Sequence, residues 1–158
     1  MSQFNKSYYL SFYSNLDGVY SSFWLGKLTN LLVKGGKSSV TESQINNMLL
    51  SLKLYGILPI NFVLENLLKI KPIFSVSSSV IHGKEQQAPV LLSQHKQLQL
   101  ATRWISSLIA ERKEQKLSYR VYNELSSINV DRRHSLVQRR DKIFKLVIKN
   151  RSSFRYSK

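Results

Sequence analysis

"IFSVSSSVIHGKEQQAPVLL", Ile73 to Leu92, changes the period of the chain. Phe74, Val76, Ser78 and Val80 alternate as strand residues do, and Gly83 supplies a turn. Pro89 lies in the return strand and cannot donate to a ladder, which suits a free-standing two-stranded ribbon better than a central sheet strand. With Lys84 set against Glu85, the stretch has no formal net charge.

Helical spacing surrounds it on both sides. Before it, Trp24, Leu25, Leu28, Leu31 and Leu32 form one stripe, and "KGGKSS" at 34–39 stops that helix. Ile45, Met48, Leu49, Leu52 and Tyr55 mark a second helix, closed by Gly56. Pro59 suits the first turn of a third helix, carrying Val63, Leu64, Leu67 and Leu68. After the ribbon, Leu98, Ala101, Ile105 and Leu108 predict a fourth helix with Trp104 and Ile109 beside them. Leu117, Val121 and Leu125 predict a short fifth, "INVDRRHS" a basic connection, and Leu136, Ile143 and Val147 the inner face of a sixth. The expected fold is mainly α: six helices with a two-stranded β-hairpin arm, 73–92, inserted between the third and fourth. Residues 17–158 form one helical domain, with an irregular arm over 1–16 and an irregular tail over 151–158.

The 158 residues suit one domain with a sizeable core. The charge is the informative quantity: 24 basic residues face 9 acidic ones, for a net of +15. Residues 80–158 hold 17 basic and 6 acidic side chains, so the surplus sits mainly there. Such a balance calls for an anionic partner, with nucleic acid and anionic membrane as the main candidates. The apolar stripes suit a shared core, and no strongly basic amphipathic helix stands apart from them, so no membrane partner is expected. No stretch approaches the ~18 uninterrupted apolar residues of a spanning helix. With no cysteine, disulfides, thiolate zinc sites and a Cys nucleophile are excluded.

Catalytic chemistry finds no support. His82, His95 and His134 lack ligand spacing and read as surface residues, so no metal or other cofactor is expected. Glu111 and Glu114 stand three apart among Arg112, Lys113 and Lys116 and read as solvated ion pairs on a helix. "KGGKSS" lacks the upstream Gly of a P-loop, but a small Gly loop with Lys34 and Lys37 suits an RNA backbone as well as a helix stop. The basic faces are the stronger signal. Lys142, Lys145 and Lys149 repeat at helical spacing beside Arg139, Arg140 and Arg151, almost unbalanced by acids. Like charges so placed repel one another unless an anion docks on them.

In this order the elements resemble the seventh protein of the bacterial-type small ribosomal subunit, in a mitochondrial form. The likeness begins at "DGVY", 17–20, passes through Lys27, Asn30 and Gly36-Lys37, and is densest over 64–105. There Lys71-Pro72, Val76, Gly83, Gln87, Pro89-Val90 and "LATRW" at 100–104 keep the family's register; Arg120, "NEL" at 123–125, Asn150 and Tyr156 follow. The resemblance implies a helical, non-catalytic protein that binds the 3′ major domain of small-subunit rRNA and organises assembly of the subunit head. It implies a place near the mRNA exit channel and the exit-site tRNA, with the ninth and eleventh small-subunit proteins as neighbours. The drift from the bacterial pattern points to a mitochondrion, with a plastid as the alternative. The missing transit segment points to an organelle-encoded gene. A stand-alone helical nucleic-acid-binding module or regulator is the alternative function.

Several positions depart from the family. Its arm is arginine-rich where Ser77, Ser78, Ser79 and Val80 stand here, and Lys96 with Gln97 replaces an arginine pair. Lys6 is the one charge of the N-terminal arm, and Lys158 replaces a terminal Trp. The hairpin is therefore expected to reach RNA by shape, hydroxyl and backbone contacts. Phosphate or sugar contacts are expected from Lys34, Lys37, Lys96, Arg103, Arg112, Lys116, Arg120, Arg139, Arg140, Lys142 and Arg151.

Overall fold

A computed structural model describes residues 17–81, 84–131 and 133–151. The expected N-terminal arm, the Gly83 turn and the tail beyond Arg151 lie outside them. Six helices are described: α1 (Asp17–Leu32), α2 (Ser38–Leu54), α3 (Pro59–Ile70), α4 (Gln94–Glu111), α5 (Leu117–Val130) and α6 (Ser135–Lys149). Between α3 and α4 stands one antiparallel pair, β1 (Phe74–Ile81) and β2 (Lys84–Leu91). The mainly α expectation with an inserted hairpin holds.

The hairpin register places Ser77, Ser78 and Ser79 opposite Ala88, Gln87 and Gln86, and Val76 opposite Pro89. Among the described residues the ribbon has no third strand, but it does not stand free along its whole length. Its base rests on α6, where the Phe74 and Phe144 rings meet edge to face at 5.9 Å. The alternation of β1 could not reveal this, because it depends on a helix far along the chain.

The core joins Trp24 and Leu28 of α1, Met48 and Leu52 of α2, and Leu67 of α3 to Ile105 of α4 and Leu125 of α5. α1 packs on α3 and α4, while α2 packs on α5. Each such side chain, fully buried, contributes about 1.5–3 kcal/mol. Thr29, Thr41 and Thr102 enter this interior because each hydroxyl donates to the carbonyl four residues back, at 2.9, 3.1 and 2.8 Å.

Three expectations shift. Leu31 is 48% exposed, because the buried side of α1 follows Trp24, Leu28 and Leu32. Tyr55 is 75% exposed, because α2 ends at Leu54 and the chain turns away. Ile128, Asn129 and Val130 belong to α5, so the basic connection shrinks to 131–134. Burial of Ile128 in the core favours that extra turn of helix.

Gly56 shows how α2 stops. Its φ is 72°, its N–H donates to Lys53 O at 2.9 Å, and Ile57 N donates to Leu52 O at 3.1 Å. These bonds are the left-handed cap that glycine favours. Gly26, inside α1, has ordinary helical backbone and open space at its Cβ position. Alanine should therefore act oppositely at the two sites. Gly56→Ala is expected to cost about 1 kcal/mol and Gly26→Ala to gain about 0.5–1 kcal/mol in urea unfolding. Equal signs would refute this cap assignment.

Candidate nucleic-acid interface

The expected cations divide by what their side chains already hold. Lys34, Lys37, Lys96, Arg103, Lys116, Arg139, Lys142 and Arg151 are exposed. Arg112, Arg120 and Arg140 are half-buried and bonded to the protein itself.

Lys34 and Lys37 share the turn between α1 and α2, where Lys37 N donates to Lys34 O at 3.3 Å. The glycines between them have φ values of 59° and 71°, which lets the backbone reverse within so few residues. Lys96 and Arg103 stand on the exposed side of α4, while Leu98, Ala101 and Ile105 face the core. On the next position of that helix, Trp104 is almost buried and carries the Arg139 guanidinium 4.7 Å from its ring centre. This stacking fixes a charge of α6 against α4 and leaves the guanidinium N–H groups for an outside acceptor. Among the described residues Arg139 has no carboxylate partner.

α6 presents the basic face that its periodicity predicted. Leu136 is buried, Ile143 and Val147 are half-buried, and Lys142, Lys145 and Lys149 are exposed. The acid on this helix is Asp141, and Arg140 takes it through Nε at 3.0 Å and Nη2 at 2.8 Å. Arg140 Nη1 also donates to Lys69 O, in the last turn of α3, at 2.5 Å. Arg140 thus joins α6 to the carbonyl end of α3, an end that favours a cation.

Arg112, Glu114, Glu124 and His134 form a polar cluster under this surface. Arg112 Nη1 donates to Glu124 Oε2 at 2.7 Å, and its Nε donates to Glu114 Oε1 at 2.9 Å. His134 Nε2 lies 3.1 Å from Glu124 Oε1, while His134 Nδ1 accepts from Leu136 N at 3.3 Å. Arg120 Nε donates to Glu114 O, and Asn123 Nδ2 reaches Glu114 Oε1 at 3.2 Å. The cluster ties the segment after α4 to α5 and to the first turn of α6. Two sequence readings change here. α4 ends at Glu111, so Glu114 sits in the following segment rather than on that helix. His134 is only 10% exposed and caps α6, so it is not a surface histidine. Buried Glu124 was missed as well; its neighbours in "NEL" gave no sign of its partners.

The Glu114 carboxyl is held below its ordinary range, first by its own backbone N–H and then by the Arg112 guanidinium. The hydrogen bond from Arg112 to Glu124 is the main cause that raises the arginine above its usual value. A depressed carboxylate stabilises the fold above its ordinary value of 4.5. That contribution is lost as pH falls through the lowered one. Glu114→Gln is expected to flatten the acid limb of the melting temperature; an unchanged limb would remove Glu114 as its source.

Of the hairpin positions, Ser77 and Ser78 have exposed side chains, and Ser79 continues the paired strand. Gly83 lies outside the described residues. β1 adjoins α6.

The family described as Ribosomal protein S7p/S5e matches residues 7–151. The protein "Small ribosomal subunit protein uS7" of Nitrosomonas europaea is 29% identical over 143 residues, covering 89% of this chain and 91% of the relative. Its counterpart in Sulfurimonas denitrificans is 32% identical over 129 residues, covering 79% and 81%.

Proposed function

Because the chain belongs to the ribosomal protein S7p/S5e family, we propose that it holds small-subunit rRNA as a structural, non-enzymatic constituent of the small ribosomal subunit. Phosphate contacts from several elements supply the affinity, and the shape of folded RNA supplies the specificity. The observation that carries this reading is the face of α6. Lys142, Lys145 and Lys149 project outward there, and the one acid of the helix is already bound by Arg140. Arg139 on Trp104 brings a charge of α6 against α4, whose exposed Lys96 and Arg103 are further phosphate contacts. Lys34, Lys37, Lys116 and Arg151 are further phosphate or sugar contacts. Arg112, Arg120 and Arg140 hold the elements that present them.

The finer assignment follows the family resemblance. The chain binds the 3′ major domain of the rRNA and organises the subunit head. It lies near the mRNA exit channel and the exit-site tRNA, beside the ninth and eleventh small-subunit proteins. The ribosome is organellar, in a mitochondrion. In support, identity to the two bacterial relatives described above is only 29% and 32%, and the arm has serines where the bacterial-type pattern has arginines.

Cosedimentation tests this reading. The protein is expected to travel with mitochondrial small subunits through a high-salt gradient. Release from them, with retained binding to free nucleic acid, would support a stand-alone module instead.

A further inference from the structure

α2 and α5 pack together but leave an open cleft of about 550 Å³ between them. Its walls include Gln44, Asn47 and Tyr55 from the α2 side and Lys116, Tyr119 and Asn123 from the α5 side. Tyr55 is 75% exposed and Tyr119 is 57% exposed. Among the described residues no acidic side chain lines the cleft. Lys116 Nζ stands 5.9 Å from the centre of the Tyr119 ring. The side-chain amides of Gln44 and Asn47 make no hydrogen bond among the described residues. Asn123 donates to Glu114 through Nδ2, which leaves its carbonyl oxygen as an acceptor.

This set of groups matches one chemistry. Aromatic faces stack any base, amides meet both donors and acceptors on a base edge, and an ammonium takes a phosphate. A volume of this order accommodates a drug-sized molecule. We propose that the cleft takes one unpaired, unstacked nucleotide of RNA. Tyr55 and Tyr119 supply the stacking faces, Gln44, Asn47 and Asn123 meet the base edge, and Lys116 meets the phosphate. The proposal rests on the reading that the chain binds rRNA, and it adds a contact that depends little on salt. A lysine face loses affinity through counterion uptake, whereas stacking does not.

The test uses the full chain and transcribed small-subunit RNA, titrated over a range of salt. The double variant Tyr55→Ala, Tyr119→Ala is expected to lose about 10-fold in affinity with an unchanged salt slope. Tyr55→Phe with Tyr119→Phe is expected to restore it, since the ring face is kept. Ultraviolet cross-linking of the unaltered protein is expected to place a nucleotide adduct on the peptide of Tyr55 or Tyr119. If the alanine variant binds RNA as tightly as the original protein, the proposal falls and the cleft is left to a peptide. A loss that phenylalanine does not restore, or a changed slope, also overturns it. Failure of the original protein to bind RNA at all would instead overturn the reading beneath it.

Discussion

Glu124→Ala is expected to lower stability by about 3 kcal/mol, seen as a lower urea midpoint at an unchanged slope. Its carboxylate is almost fully buried and faces Arg112 on one oxygen and His134 on the other. Removing it leaves a half-buried guanidinium with one partner, Glu114, which is itself partly exposed. Uncompensated charge at such depth is what makes breaking a buried pair costly. The loss also detaches the segment after α4 from the start of α6. Replacing Glu124 and Arg112 together by methionine is expected to recover part of the loss, because the guanidinium is then not stranded and the partly exposed Glu114 keeps its bond from Asn123. A cost below about 1 kcal/mol for Glu124→Ala would make this an ordinary surface pair.

Replacing Lys142, Lys145 and Lys149 together by alanine is expected to weaken RNA binding on the order of 100-fold at 0.1 M salt. The slope of log affinity against log salt should become shallower by about 2 to 3. The three side chains are exposed and none holds the fold, so the melting temperature should scarcely move. Shortening the hairpin should cost less, since the stretch 73–92 carries no formal net charge. The opposite ranking would return the main RNA grip to the hairpin. An unaltered slope in the triple variant would take this face out of the interface.

The fold was largely legible because helix and strand periods differ so plainly on either side of Pro72 and Leu92. Alternation around Phe74–Val80 gave the hairpin, and glycines at 36 and 56 gave the helix stops. Local spacing failed where tertiary packing decides. A stripe that included Leu31 was wider than the face α1 buries. Tyr55 continued the period of α2 but lies past its last turn. At the candidate interface, the side of each helix that faces water was readable for Lys96, Arg103 and Lys142. The partners of Arg112, Arg139 and Arg140 were not. Glu124, Trp104 and the Lys69 carbonyl meet them only after the chain has folded back, and neither charge nor spacing records that meeting.

Affinity of the unaltered protein for small-subunit rRNA, followed from low to high salt, bears on all of this at once. Phosphate contacts from α4, α6 and the Lys34–Lys37 turn predict a steep fall, about 0.7–0.9 log units for every contact made. A flat curve, with affinity kept across the range, would contradict an interface built on these lysines and arginines.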